Sequence, residues 1–353
     1  MQSKPRLLAA AGLMGLVLAI SVACSSSSES GSSSSASGSS GVDEVTFMAG
    51  FKPQANLPFV GVYVAQEKGY FADEHLKVNI QHVATPGDNF RFLATGDVQF
   101  STADAAEVLN KRAGDPALDI VSIALIGQRG QQGFAVLADS GIESPKDWVG
   151  KTAGYKGSDV TPDYLAILSA NGIDRSSVKE VKVGFEPQIL TERKVDIFPV
   201  FVSNEPDTLA RLGYQVKVFE AANFGAPTIG LTYVTTGDEI RNKPDVVQRF
   251  LRATFKAIHY SYLDKNRQEA VDDVMKYASQ EDPAHQRFML DTEMRAAFSG
   301  PALTEGLGTQ TRDQWQKLHD YLVQYGALPH PLPDVTAAFD DQFLAAAHVY
   351  PPQ

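Results

Sequence analysis

Residues 45–71 read Val45-Thr46-Phe47-Met48-Ala49-Gly50-Phe51-Lys52-Pro53-Gln54-Ala55-Asn56-Leu57-Pro58-Phe59-Val60-Gly61-Val62-Tyr63-Val64-Ala65-Gln66-Glu67-Lys68-Gly69-Tyr70-Phe71. Residues 45–49 are a short apolar run of strand type, and residues 60–71 carry an apolar pattern of helical length. Between them, residues 51–59 mix aromatic rings with the amides Gln54 and Asn56, too polar a composition for a wholly buried loop. Strand, polar loop and helix in this order make the repeating unit of an α/β fold, in which ligands sit beyond the carboxyl ends of the strands.

The unit recurs downstream. Strands are predicted at 78–83, 98–102 and 120–126, with helices at 88–95 and 104–112. A second series follows, with strands at 134–138, 151–155, 178–183, 196–200 and 216–219 and helices at 162–170, 188–193 and 205–212. Beyond residues 224–234 the pattern turns to long helices at 244–263, 268–277, 283–297, 312–325 and 336–347; Pro244 and Pro283 fall in first turns, where a missing N–H is harmless. The expectation is an α/β fold with two mostly parallel sheets and a helical C-terminal tail. The chain crosses between the sheets near 127–134 and 224–233, which divides it into lobe 1 (42–133 and 225–353) and lobe 2 (134–224) about a hinge.

The N-terminus reads as an export signal. Lys4 and Arg6 precede an uninterrupted small or apolar run over residues 7–23, shorter than the roughly 20 residues a membrane span needs. Cys24, the one cysteine of the chain, follows Ala23 directly, as a lipidated cysteine follows its cleavage site, although Ser21 stands where such signals prefer Leu. Residues 25–41 are almost wholly Ser and Gly and read as a flexible tether. The expected organisation is therefore a signal peptide at 1–23, a lipidated tether at 24–41 and a globular body, anchored on the extracytoplasmic face of the cell membrane. Removing Lys4 and Arg6 moves the formal charge from −11 to −13, which disfavours nucleic acid as a partner.

Motifs for catalysis and metal binding are missing. No HExxH, paired CxxC, G-x-S-x-G or P-loop occurs. Ser176 and Lys179 fit a Ser-x-x-Lys pattern of chance length without its Lys-Thr-Gly companion, since Ala153 follows Lys151-Thr152. The histidines, His75, His82, His259, His285, His319, His330 and His348, are scattered rather than spaced as ligands, so no metal site and no cofactor are expected. What stands out is a set of polar and aromatic residues at predicted strand ends: Phe51, Gln54, Asn56 and Phe59; Thr102 and Asp104; Tyr155; Gln188; Asn204 and Glu205. Asp104 serves equally as a ligand contact or a helix cap, Asp159 reads as a cap, and Phe51 and Phe59 have core packing as their alternative.

The stretch Tyr63-Val64-Ala65-Gln66-Glu67-Lys68-Gly69-Tyr70-Phe71, with Asp97-Val98-Gln99-Phe100-Ser101 and Val195-Asp196, resembles the thiamine-pyrimidine and alkanesulfonate-type solute-binding proteins of ABC importers. Ser144-Pro145-Lys146-Asp147-Trp148-Val149-Gly150-Lys151 and residues 243–251 are similar to two further stretches of that family. The resemblance covers roughly residues 45–277 and implies a two-lobed periplasmic-binding-protein fold of type II. It also implies a monomer that is not an enzyme, delivers a small molecule and works with a permease and an ATPase. Pyrimidine-precursor binders of the family often carry an Asn-His pair before the motif's glycine, where this chain has Pro58-Phe59-Val60 before Gly61.

Residues 51–71 as a whole are similar to the riboflavin-binding component of riboflavin importers. That likeness implies riboflavin as ligand, with Phe51, Phe59 and Tyr155 stacking on the ring, Gln54, Asn56, Gln188 and Asn204 meeting its polar edge or ribityl chain, and Asp104 and Glu205 accepting from hydroxyls. A hydroxymethylpyrimidine or another small heteroaromatic is the alternative ligand. The family likeness extends to synthases that build the pyrimidine on the same fold; the export signal, the lone cysteine and Phe59 speak against that reading here.

Overall fold

Strand β1 (Asp43–Ala49) is the centre from which the first sheet grows, in a computed structural model of the protein that describes residues 41–85, 87–156, 160–347 and 349. The expected signal peptide, Cys24, nearly all of the tether, and Asp159 lie outside the described residues. β2 (Leu76–His82) and β3 (Phe100–Asp104) flank β1 in parallel. β4 (Ile120–Leu125) closes one edge, and β10 (Leu231–Thr236) inserts between β3 and β4, antiparallel to both. The second group of strands repeats this plan. β5 (Gln132–Leu137) lies antiparallel between β8 (Phe198–Phe201) and β9 (Val216–Glu220), and β6 (Thr152–Tyr155) pairs in parallel with β7 (Lys179–Lys182). Main-chain bonds from Gly154 to Ile197 (2.8 Å) and from Ile197 to Thr152 (3.1 Å) join β6 to the start of β8.

The α/β class stands, but the pairing is mixed rather than mostly parallel. In each group the antiparallel strand, β5 or β10, is the first one formed after the chain arrives from the other group, so it enters against the direction of its neighbours. At the crossings, residues 126–131 run beside residues 228–231. Gly130 N–H donates to Thr228 O (2.9 Å), Gly230 N–H to Gly127 O (2.7 Å) and Gly127 N–H to Leu231 O (2.8 Å). A Cβ on Gly130 would lie 2.2 Å from Thr228 Oγ1, and one on Gly127 2.8 Å from Leu231 N. Glycine is what lets the two segments approach this closely.

The helix after β1 spans Leu57–Glu67, starting three residues before the expected position. Pro58 occupies its first turn, and Phe59 and Val60 N–H bond to Asn56 O. It ends at Gly69, whose φ of 74° favours glycine, and a short helix Tyr70–Asp73 follows. Residues 57–65 are all buried. A helix apolar on every side fits a place enclosed on every side: it packs against the sheet and against helices Pro244–Tyr262 and Arg267–Tyr277 of the tail. Phe250 binds this layer together, stacked on Phe100 with centroids 4.1 Å apart and near Phe47 and Phe71.

The tail is therefore part of the first sheet's core. Its last expected helix, 336–347, is not one. Two short 3-10 turns, Val335–Ala338 and Leu344–Ala346, flank Phe339, which stacks on Trp315 (5.7 Å) while Asp340 N–H donates to Ser122 O of β4 (2.8 Å). An extended residue at the sheet edge and a continuing helix are incompatible, and the sheet contact prevails. Among the described residues no helix is long and apolar enough to cross a membrane.

Candidate functional site

The loops that leave the carboxyl ends of β1, β3, β6, β7 and β8 surround a cleft of ≈1100 Å³. Of the residues singled out from the sequence, Phe51, Gln54, Asn56, Phe59, Thr102, Asp104, Tyr155, Asn204 and Glu205 line it. Gln188 does not: it begins the short helix Gln188–Thr191 and is exposed, while Phe185, Glu186 and Pro187, just before it, form the wall. Phe51 (39% exposed) and Phe185 (63%) leave ring surface free on the two strand groups. Phe59, 2% exposed, is a core residue that also borders the cleft and packs edge-on to Tyr63 and His82.

Asp104 is a helix cap that also lines the cleft. It caps helix Ala105–Arg112 by accepting from Ala106 N–H (3.0 Å), Glu107 returns the bond by accepting from Asp104 N–H (3.1 Å), and the side chain still borders the cleft. Desolvation at the cleft wall, with Glu107 beside it, pushes the Asp104 carboxyl up to about 7.

Among the described residues, every cation of the lining is matched to a carboxylate. Lys156 Nζ lies 2.5 Å from Glu205 Oε1, and Glu205 Oε2 accepts from Phe201 N–H (2.7 Å). Lys52 meets Glu281 at 2.6 Å; Arg211 meets Asp207 at 2.5 Å and Asp282 at 3.4 Å. Lys156 also sits over the Phe198 ring (4.9 Å) and near that of Phe185 (5.5 Å). His285, the one histidine of the lining, has Nδ1 2.7 Å from Asp207 Oδ2 and Nε2 3.0 Å from Asn204 Oδ1, so neither nitrogen is free to act as a base. Among the described residues the cleft offers acceptors, amides and ring faces, and little for an anion to hold.

Three positions at or behind the cleft were not singled out from the sequence. Lys156 and Phe185 stand beside residues that were singled out, but their pairing depends on two loops meeting. Glu293, in the middle of helix Pro283–Ala297, is 6% exposed and reaches the loop after β1: Asn56 Nδ2 and Leu57 N–H donate to it, the latter at 2.5 Å, and Ser203 Oγ donates from the far strand group at 3.3 Å. Burial pushes its carboxyl up to about 7. Nothing in the local pattern of a tail helix marks a residue whose partners lie 90 and more than 200 positions away.

A family model described as "NMT1/THI5 like" matches residues 56–268. The chain is 26% identical over 301 residues to a formylaminopyrimidine-binding protein from Halalkalibacterium halodurans, covering 82% of this chain and 88% of that one. It is 27% identical over 315 residues to the riboflavin-binding protein RibY from Chloroflexus aurantiacus, covering 86% of each. Among solved structures, the periplasmic sulfonate-binding protein SsuA from Methylobacillus flagellatus superimposes with a TM-score of 0.63 at 18% identity, over 87% of this chain and 94% of that one.

Proposed function

This chain belongs to the NMT1/THI5-like family, and from that premise we propose that it is the solute-binding component of an ABC-type importer, with riboflavin as its ligand. The observation that carries the ligand reading is the cleft's pairing of charges: Lys52, Lys156 and Arg211 are each neutralised by a carboxylate, while Phe51 and Phe185 expose ring surface on the two strand groups. An uncharged, planar, hydrogen-bonding ligand suits that lining. A sulfonate or phosphate would need a free cation or a cradle of backbone N–H groups. The volume, ≈1100 Å³, accommodates a tricyclic ring with a ribityl chain. The similarity to RibY supports the same ligand.

In this reading residues 42–133 with 225–353 form one lobe, residues 134–224 the other, and the paired segments 126–131 and 228–231 are the hinge on which they close. The monomer hands its ligand to a permease driven by an ATPase. Residues 1–23 direct export and Cys24 carries the lipid that holds the tether to the outer face of the membrane; a Cys24→Ala variant is then released from the membrane fraction. A second reading, an aminopyrimidine ligand, is favoured by the carboxyls of Asp104 and Glu107, which suit a ring amine, and by the similarity to the formylaminopyrimidine-binding protein. Denaturing the protein purified from ligand-replete cells and weighing what is released decides between them. A flavin absorbing in the visible supports the first, a pyrimidine the second, and neither removes both.

A further inference from the structure

The polarity of the ligand-facing amides is dictated from outside the cleft. Above about pH 7 Glu293 is ionised and its carboxylate only accepts hydrogen bonds, and all three of its partners donate to it: Asn56 Nδ2, Leu57 N–H and Ser203 Oγ. Asn56 must therefore turn its NH2 to Glu293 and its carbonyl oxygen the other way. That oxygen accepts from Gln54 Nε2 at 2.5 Å, so Gln54 in turn has its NH2 committed to Asn56. None of the hydrogen bonds among the described residues uses Gln54 Oε1, and Gln54 lines the cleft. The backbone around the pair is pinned as well, since Ala55 N–H donates to Gln286 Oε1 (2.6 Å) one and a half to two turns before Glu293 on the same helix.

We propose that Glu293 is a positioning residue that, through Asn56, fixes the Gln54 side chain with its carbonyl oxygen toward the ligand, and so selects ligands that present an N–H at that edge. The proposal rests on the reading of the cleft as a heteroaromatic-binding site for its ligand, but the relay itself is a property of the empty protein. With Glu293 ionised both amide orientations follow, because an oxygen–oxygen contact at either step would be repulsive. An imide N–H, as on the isoalloxazine ring, or a ring amine satisfies Gln54 Oε1; an N-methylated edge does not.

The relay is testable without any ligand. In isotope-labelled protein lacking residues 1–41, Glu293→Gln gives position 293 an NH2 that must itself donate, which inverts Asn56 and then Gln54. The side-chain amide resonances of both residues should move. A shift at Asn56 with Gln54 unchanged overturns the proposal. Should Glu293→Gln fail to fold, the wild-type protein decides. The titratable groups nearest on the same helix turn elsewhere, His285 to Asp207 and Asp291 to Arg267 and Arg287, so a pH titration that moves the Glu293 carboxyl resonance should move both amides with it. A Gln54 amide that ignores that titration refutes the relay.

With ligand, riboflavin should bind Glu293→Gln and Gln54→Ala roughly 3- to 10-fold more weakly. Its preference over 3-methylriboflavin should collapse in both. If the wild type binds neither flavin, the ligand assignment fails while the resonances still judge the relay.

Discussion

Glu205→Gln tests whether the matched charges of the cleft set its selectivity. The substitution keeps the size of the side chain and lets Phe201 N–H donate to the new amide oxygen, but it removes the negative partner of Lys156. The Glu205 side chain is 9% exposed and that of Lys156 18%, so the pair is largely shielded, while the Phe198 ring beneath Lys156 retains part of the ammonium's stabilisation. Losing one partner of a fully buried pair costs about 3–5 kcal/mol, and a hydrogen bond to a charged group contributes about 1.5–3 kcal/mol. At this partly wet site the lower range applies, so urea unfolding should show a loss of about 1.5–3 kcal/mol with an unchanged m-value. The freed ammonium then faces the cleft. A phosphate able to reach it gains a charge-assisted bond, and the ratio of flavin mononucleotide to riboflavin affinity should rise roughly 10- to 100-fold. Fluorescence titration of the two flavins against wild type and variant measures that ratio directly. A folded variant whose ratio moves less than about threefold, against the decade expected from one such bond, would refute the charge-pairing argument, as would a wild type that already prefers the phosphorylated form.

Phe185→Ala should weaken riboflavin by about 0.5–1.5 kcal/mol from lost stacking, with little effect on stability because the ring is 63% exposed in the empty protein; equilibrium dialysis and a melting curve check the two halves. Gly130→Ala sets a methyl 2.2 Å from Thr228 Oγ1, so the crossing must shift; a loss of about 1–3 kcal/mol is expected, together with a changed difference in radius of gyration between empty and riboflavin-saturated protein by small-angle scattering. Stability should fall as pH rises from about 4 to 7. Burial holds Glu293 and Asp104 up to about 7 and Asp163 up to about 6, so the folded protein keeps protons that the unfolded chain releases above its ordinary carboxyl values. Glu107 and Glu239, also raised by burial, act in the same sense, while His82, pushed down to about 4 by burial, opposes them between about pH 4 and 6.5. Urea midpoints across that range give the slope, and a midpoint rising with pH refutes the assignment.

How far the sequence reads ahead of the structure follows from what each feature depends on. Strand β4 and helices Pro162–Ala170 and Pro283–Ala297 match their expected positions within a residue, because periodicity and a first-turn proline are local signals. The pairing directions of β5 and β10 were not legible, since they depend on where the chain re-enters a sheet, and residues 336–347 are helical in pattern but are drawn out by the Trp315–Phe339 stack and the Ser122 contact. In the cleft, the strand-end rule located Gln54, Asp104, Tyr155 and Glu205, whereas Gln188 falls one residue past the wall formed by Phe185, Glu186 and Pro187. Glu293 and His285 lay beyond reach: each sits on an ordinary amphipathic helix, and its partners at Asn56, Ser203, Asn204 and Asp207 become neighbours only when the tail packs across the cleft loops.

Titrating riboflavin into protein lacking residues 1–41, with flavin fluorescence and thermal melting followed together, addresses the central assignment most directly. Stacking against Phe51, Tyr155 or Phe185 predicts saturable quenching and a rise in melting temperature that grows with ligand concentration. No quenching and no thermal shift with riboflavin at tens of micromolar, alongside a clear shift with a formylaminopyrimidine, would contradict the flavin assignment and transfer the cleft to the pyrimidine.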